Sequence, residues 1–150
     1  MFHYYQPTKI HFGAGQLNEL GHVCRGYGKT CFLVTTPDAP LQPLYERVKK
    51  LLDAEGISVI HFDKVEPNPS VEIVEQGFAM LKEQPADFVL AVGGGSSIDT
   101  AKAIAFANGK ESIDWDHLFN EYSSPFAYYP SYSEKHLPLL SVPTTSGTGS

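Results

Sequence analysis

The feature that most constrains the fold of this chain is a regular alternation of short apolar segments with helical patterns. Residues 30–35, 57–62 and 87–92 are apolar and rich in β-branched or aromatic side chains, as expected of buried strands. Their starts lie about 30 residues apart, which is the length of one strand–helix–strand unit. Strands of a parallel sheet are apolar on both sides because helices cover both faces. The sequence therefore predicts an α/β fold with a doubly wound, mostly parallel sheet.

Helical patterns fill the intervals between these strands. Apolar side chains recur at helical spacing over 41–52, and Gly56 is placed to end that helix. Ser70 is suited to cap a second helix. The pair Asn108-Gly109 is suited to end a third helix, predicted over 96–107.

The two ends of the chain are less regular. Residues 10–12 predict a strand, followed by the turn Gly13-Ala14-Gly15 and a short helix. Residues 111–136 are rich in aromatic side chains, and a loop packed on its own rings is favoured there over a pocket lining or a partner surface. A last strand is predicted over 137–142.

Composition excludes several classes of protein. The chain has 150 residues, 42% hydrophobic and 19% charged, and is long enough to bury a core as one domain over 1–150. Its net charge of −6 disfavours nucleic acid as a partner. No apolar run is long enough to span a membrane, and no signal peptide is visible. The two cysteines, Cys24 and Cys31, lack C-x-x-C spacing, so we expect reduced thiols in a cytoplasmic protein.

The strongest chemical signal is a glycine-rich turn after the third strand. Gly93, Gly94 and Gly95 precede Ser96, where a helix is predicted to begin. Glycines let ligand oxygens approach the backbone, and free N–H groups at a helix start favour an anion. Ile98 stands where the common dinucleotide fingerprint has its third glycine. The turn therefore predicts a phosphate or pyrophosphate site of another type, with a purely structural turn as the alternative.

Asp99 has two interpretations. It follows Ser96 with the spacing of a capping box, in which the carboxylate bonds the backbone N–H of the cap. Lys102 lies three residues further along and could pair with it on the helix surface. From spacing alone, capping is favoured over ligand contact.

Two further polar segments follow predicted strands, where ligands of open α/β sheets bind. Residues 143–150 offer five hydroxyls and two glycines, which suit phosphate or ribose oxygens, although a linker to another domain has a similar composition. Prolines on both sides of Asn68 fix a turn that presents its amide to a ligand or simply precedes a helix. None of the six histidines is paired at the i, i+3 or i+4 spacing of a helical metal site.

Taken in order, these segments resemble the amino-terminal half of the iron-containing (group III) alcohol dehydrogenases. The resemblance implies a Rossmann-like domain that binds a nicotinamide dinucleotide and normally precedes an all-helical domain. It implies an enzyme that interconverts alcohols and aldehydes by hydride transfer. The matching segments are Phe12-Gly13-Ala14-Gly15, Val65-x-Pro67-Asn68-Pro69, Gly93-Gly94-Gly95-Ser96-x-x-Asp99-x-Ala101-Lys102 and Pro143-Thr144-Thr145-Ser146-Gly147-Thr148-Gly149-Ser150.

The resemblance also implies roles for individual residues. Asp99 would lie near the nicotinamide ribose and the substrate cleft, in addition to any capping. The pyrophosphate would be held by Gly94, Gly95 and Ser96. The other residues lining the cofactor would be Asn68, Thr144, Thr145 and Thr148.

Thr36, also a predicted cofactor-binding residue, departs from the family's pattern. The family often has an aspartate at this position, where it binds the adenosine ribose hydroxyls and repels the 2′-phosphate of NADP. A threonine does not repel that phosphate. We therefore predict NAD or NADP as the cofactor, with NADP tolerated or preferred, unless Asp38 reaches the ribose instead.

A second departure concerns the metal. The family's ligands for iron or another divalent metal, one aspartate and three histidines, lie beyond its last motif, and this sequence ends at Ser150 within that motif. We therefore expect residues 1–150 to be truncated in their last loop and to lack the all-helical domain, the metal ligands and any catalytic residue. We expect weak nucleotide binding without alcohol oxidation, in a chain that forms a homodimer.

Two other functional classes fit parts of the sequence. A stand-alone phosphate-ligand module, for FMN or a phosphosugar, would use the loop 144–150, although flavodoxin-like proteins place such a loop after their first strand and before a helix. A purely structural fragment would self-associate through bare apolar surface or an amino-terminal edge strand.

Overall fold

A four-stranded sheet organises the molecule. The computed structural model describes residues 7–121 and 135–146. All neighbouring strands in the sheet are parallel, in the spatial order β2-β1-β3-β4. The strands are β1 (Thr30–Val34), β2 (Ser58–Phe62), β3 (Phe88–Gly93) and β4 (Leu139–Pro143).

Helices connect the strands and cover both faces of the sheet. From β1 the chain passes to β2 on one side, and it then returns past β1 to β3 on the other. The winding direction therefore reverses between β1 and β3, and this reversal defines a topological switch point. The helices are α1 (Leu20–Cys24), α2 (Gln42–Asp53), α3 (Val71–Glu83), α4 (Gly95–Ala107) and α5 (Trp115–Glu121), with 3₁₀ turns at Gln16–Glu19 and Ala39–Leu41.

The sheet separates two hydrophobic cores, because successive side chains of a strand point to opposite faces. In β1, Phe32 and Val34 pack with the buried side chains of α3 and α4. Cys31 and Leu33 pack on the other face with those of α1 and α2. All six residues of β3 are buried. This two-faced burial confirms the predicted α/β, doubly wound, parallel architecture.

The predicted strand over 10–12 is wrong. These residues form no strand, and Ile10 and Phe12 are 70% and 96% exposed. A strand requires a partner for its backbone hydrogen bonds, and in the part of the chain that the structure describes this segment pairs with no strand of the sheet.

A loop prediction is wrong over part of 111–136, where α5 forms. Asp114 Oδ1 accepts a hydrogen bond from the His117 N–H at 2.9 Å, which supports the start of the helix. Trp115 Nε1 donates to Glu75 Oε1 at 2.7 Å and so ties the helix to α3. The aromatic residues after α5, at 122–134, lie outside the described residues.

No helix within 7–121 or 135–146 combines the length and the apolar character needed to cross a membrane.

Candidate functional site

Three loops meet at one end of the sheet. Val34 of β1 is paired with Ala91 of β3, and Gly93 at the end of β3 is paired with Pro143 of β4. The segments that follow β1, β3 and β4 therefore lie side by side at the carboxyl ends of the strands. In open α/β sheets this is where ligands bind, at the switch point between strands such as β1 and β3.

The turn between β3 and α4 requires glycine at position 93. Gly93 has a φ of 153°, and a Cβ added there would clash with the Oγ and Cβ atoms of Ser97. Gly94 is the N-cap of α4, and because glycine has no side chain, no side-chain oxygen caps the first N–H groups of the helix. Helix N-termini present several N–H groups without an intrahelical partner, and the helix dipole favours an anion there. The local geometry therefore suits a phosphate-sized anion.

The capping-box interpretation of Ser96 and Asp99 is wrong. The N-cap lies two residues earlier, at Gly94, which adopts an extended conformation (φ −81°, ψ −168°), and the helix begins at Gly95. Asp99 consequently lies more than one turn inside α4, where its Oδ1 is 3.3 Å from Lys102 Nζ. Both side chains of this pair are about half exposed (52% and 48%).

Several predicted cofactor-binding residues are brought together around this turn. The Asn68 N–H, in a left-handed conformation with a φ of 53°, donates to Ser96 Oγ at 3.3 Å. The Thr144 N–H donates to the Gly93 carbonyl at 2.9 Å. Thr145 Cγ2 would lie 3.3 Å from a Cβ added at Gly94, so it closes the side of the turn. Thr148 lies outside the described residues. Binding of a cofactor by any of these residues stays a prediction.

Thr36 belongs to a hydrogen-bonded group at the end of β1. Its hydroxyl donates to Asp38 Oδ2 at 2.8 Å and lies 2.9 Å from the hydroxyl of Tyr45, which is fully buried. A threonine hydroxyl has one hydrogen to donate, so the Tyr45 hydroxyl is the donor in the second bond. Thr36 and Asp38 are therefore held against the core through α2.

A second group lies directly beside it. Thr35 is fully buried, and its hydroxyl donates to the Thr36 carbonyl at 3.1 Å and lies 2.8 Å from His61 Nε2. By the same count of hydrogens, His61 carries its proton on Nε2 and donates. Burial first, and the nearby Lys49 ammonium second, lower the pKa of His61, while Asp63 and Glu46 raise it by less. A neutral ring with Nε2–H is the form this arrangement favours.

Ser97 was not identified from the sequence. It is fully buried, and its hydroxyl has no hydrogen-bond partner among the described residues. Ser97 packs closely against Gly93 in the folded chain, and no sequence pattern predicts that contact. His61 and Tyr45 were missed for a similar reason, since their partners come from other elements.

Acidic, histidine and cysteine side chains do not cluster in the described part of the chain. Within 7–121 and 135–146 no group of three or more of them could hold a metal ion. The described residues therefore do not fit the iron that the resemblance implies, and no step through a metal is derived for them.

A groove of about 560 Å³ lies between the segment before α1, α1 itself and β4, and its described lining does not include Gly93–Gly95. Its lining includes Leu17, Val23, Tyr27, Leu140 and Val142.

Comparison with known proteins points to one family. A family model described as "Iron-containing alcohol dehydrogenase" matches residues 7–150. The chain is 39% identical over 150 residues to "Probable NADH-dependent butanol dehydrogenase 2" of Bacillus subtilis, with 99% of the chain and 36% of that protein covered. It is 36% identical over 151 residues to "Alcohol dehydrogenase 4" of Saccharomyces cerevisiae, with 98% of the chain and 36% of that protein covered. The chain thus spans little more than a third of these relatives.

Solved structures agree with this. The fold matches "NADH-dependent butanol dehydrogenase A" from Thermotoga maritima with a TM-score of 0.84 and 30% identity, covering 99% of the chain and 36% of that structure. A structure described as "1,3-propanediol oxidoreductase" matches with a TM-score of 0.82 and 30% identity, covering 99% of the chain and 37% of that structure.

Proposed function

The chain belongs to the iron-containing alcohol dehydrogenase family, and we propose that it is the part of such an enzyme that binds the nicotinamide dinucleotide. The observation that carries this proposal is the turn Gly93–Gly95 at the switch point of the sheet. It places the uncapped start of α4 between the segments that follow β1 and β4. A pyrophosphate is the anion of matching size and charge.

Each neighbouring segment then has a role in holding the dinucleotide. The backbone N–H groups of Gly95 and Ser96 bind the pyrophosphate, and Gly94 leaves room for it. Thr144 and Thr145 contact the cofactor from the side of β4, and Asn68 from the side of Ser96. Thr36 lies beside the adenosine ribose. Asp99 lies further along α4, towards the nicotinamide ribose and the substrate. Thr148, which lies outside the described residues, completes the set of cofactor contacts.

The chemistry belongs to the bound cofactor, whose nicotinamide ring carries hydride to or from the carbon of an alcohol or aldehyde. The names of relatives support NAD, since several are called NADH-dependent butanol dehydrogenases. Thr36 taken alone predicts that NADP is also tolerated. Measuring the dissociation constants of NAD and NADP in parallel tests this prediction. Iron or another divalent metal belongs to the complete enzyme in this proposal.

We also propose that the 150-residue chain does not oxidise alcohols by itself. The support is the length of the match, since the chain covers only 36% of the relatives that are named as dehydrogenases. Assay of the purified chain with NAD or NADP, a short alcohol and Fe²⁺ or Zn²⁺ tests this. Metal-dependent production of the reduced cofactor would contradict it.

Two further properties are proposed, the cellular compartment and the oligomeric state. The thiols of Cys24 and Cys31 are free and buried, and burial raises the pKa of Cys24 to about 12, which suits a cytoplasmic protein without disulfides.

The exposed apolar side chains of Ile10 and Phe12 support a homodimer, which light scattering measures directly.

Calorimetric titration of the chain with NAD, ADP-ribose and FMN tests the central proposal. We expect NAD and ADP-ribose to bind, and Gly94→Ala to weaken both at least tenfold, because its methyl group enters the space for the pyrophosphate beside Thr145. Gly26→Ala, where a Cβ meets only ordinary contacts, is the matched control and should bind like the parent chain. Binding of FMN but not of NAD would favour the alternative of a phosphate-ligand module.

A further inference from the structure

We propose that Asp38, held in place by Thr36, makes this site selective for dinucleotides with a free ribose 2′-hydroxyl over those with a 2′-phosphate. The inference rests on the proposed function, because it presumes a dinucleotide at the turn Gly93–Gly95. It concerns a residue two positions beyond Thr36, where the family's pattern often has an aspartate.

Strand register brings the two parts of the site together. Val34 is paired with Ala91, so Thr36 and Gly93 lie two residues beyond the same register position on neighbouring strands. Neighbouring strands are about 4.8 Å apart. The adenosine ribose of a dinucleotide is joined to the pyrophosphate through its 5′-oxygen. A pyrophosphate at the start of α4 therefore brings this ribose to the end of β1.

The Asp38 carboxylate is oriented by its neighbours. Its Oδ2 accepts the hydrogen of the Thr36 hydroxyl at 2.8 Å, and Thr36 is anchored in turn by the buried Tyr45 hydroxyl at 2.9 Å. Asp38 itself is exposed, and an ionised carboxylate accepts about four hydrogen bonds, so acceptor sites remain for a ribose hydroxyl. Thr36 and Asp38 together thus supply the charge that an aspartate at position 36 would supply alone.

The same carboxylate opposes a 2′-phosphate. Two anionic groups in contact repel each other, and NADP sites ordinarily balance the phosphate with an arginine. The ion pairs formed within the described ranges are Arg25–Glu55, Lys49–Glu46 and Lys102–Asp99. None of them places a cation against Asp38. Thr36 taken alone would leave room for the phosphate, but Asp38 fills that position with negative charge.

Titration calorimetry with NAD and NADP in parallel tests the inference on the purified chain. The test variant is Asp38→Asn, which keeps the size of the side chain and removes its charge. Asp53→Asn is the matched control, because it makes the same charge change on an exposed residue at the far end of α2. Tyr45→Phe keeps the buried ring and removes the hydroxyl that anchors Thr36. Circular dichroism of each variant verifies folding.

We expect the parent chain to bind NAD at least tenfold more tightly than NADP. Asp38→Asn should reduce that ratio at least fivefold, mainly by tightening NADP, and Asp53→Asn should leave it unchanged. Tyr45→Phe should lower it two- to threefold, since the carboxylate remains but is less well oriented.

Each contrary result is informative. Equal or tighter binding of NADP by the parent chain overturns the inference alone. So does a ratio that falls equally in Asp38→Asn and Asp53→Asn. Failure of the parent chain to bind NAD, NADP and ADP-ribose at millimolar concentration overturns the proposed function together with this inference.

Discussion

Strands β3 and β4 are neighbours in the sheet and yet lie in opposite environments. Leu90 and Leu140 are directly paired across them, but Leu90 is fully buried and Leu140 is only half-buried. β3 has a strand on each side and helices over both faces. β4 has β3 on one side, and in the described part of the chain its other flank borders the open groove next to α1.

The candidate site divides along the same line. Thr36 and the turn Gly93–Gly95 follow the two central strands. Thr36 is hydrogen-bonded to the buried Tyr45, and Gly93 packs closely against the buried Ser97. Thr144 and Thr145 follow β4 and are exposed. This difference indicates that the conformation of the turn Gly93–Gly95 is determined by the core beneath it. The flank at β4 depends more on whatever contacts that face of the molecule.

The largest expected effect comes from truncating the paired leucines. Leu90→Ala should lower the free energy of unfolding by about 3 kcal/mol, because it leaves a cavity in a core that is closed on both faces. Leu140→Ala should cost about 1 kcal/mol, since its side chain is already partly in water. Urea denaturation of the two variants measures both values. Equal costs would show that β4 is covered as completely as β3.

A smaller effect is expected at Ser97, in the opposite direction. Its buried hydroxyl has no partner in the described ranges, and an unsatisfied buried polar group costs about 1–3 kcal/mol. We therefore expect Ser97→Ala to leave stability unchanged or to raise it by up to about 1 kcal/mol. Thr100→Ala is the control, because its hydroxyl donates to the Ser96 carbonyl at 2.8 Å, and it should lose about 1 kcal/mol. A marked loss in Ser97→Ala would reveal a partner for this hydroxyl.

Much of the central region was predictable from the sequence, and less of its surroundings. The strands β1 and β3 are recognisable from their apolar sequences, because a strand buried on both faces carries few polar side chains. The edge strand β2 is only partly buried and includes Ser58 and His61, yet its other residues are apolar. The glycine turn was located, but α4 begins at Gly95, one residue before the predicted start, and its N-cap is Gly94 rather than Ser96. Ile10 and Phe12 gave residues 10–12 the pattern of a strand, but this segment pairs with no strand of the described sheet. The helix α5 is supported by a hydrogen bond from Trp115 to Glu75 of α3, which is far away in the sequence. The bonds between Thr36, Asp38 and Tyr45 join separate elements, so only the folded chain shows them.

The smallest effect, and the last test of the comparison, is a pH dependence of stability. The pKa of His61, beside β1, is lowered mainly by burial, and that of His136, just before β4, is lowered by burial and by Lys110. When the folded pKa lies below the unfolded value, the unfolded state binds more protons as the pH falls. The stability is therefore fully present above the ordinary imidazole pKa of about 6.5 and is lost as the pH falls from there through the folded value.

Unfolding by urea between pH 5 and pH 7.5 should show this loss in the parent chain. His61→Gln keeps a donor near Nε2 and cannot titrate, so it should flatten the dependence. His136→Gln, whose parent ring contacts Phe106 near the surface with centroids 4.7 Å apart, should flatten it less. If His136→Gln flattened the pH dependence more than His61→Gln, the ring beside β4 would be the more strongly desolvated of the two. The difference in burial between the end of β1 and the β4 side would then not extend to their histidines.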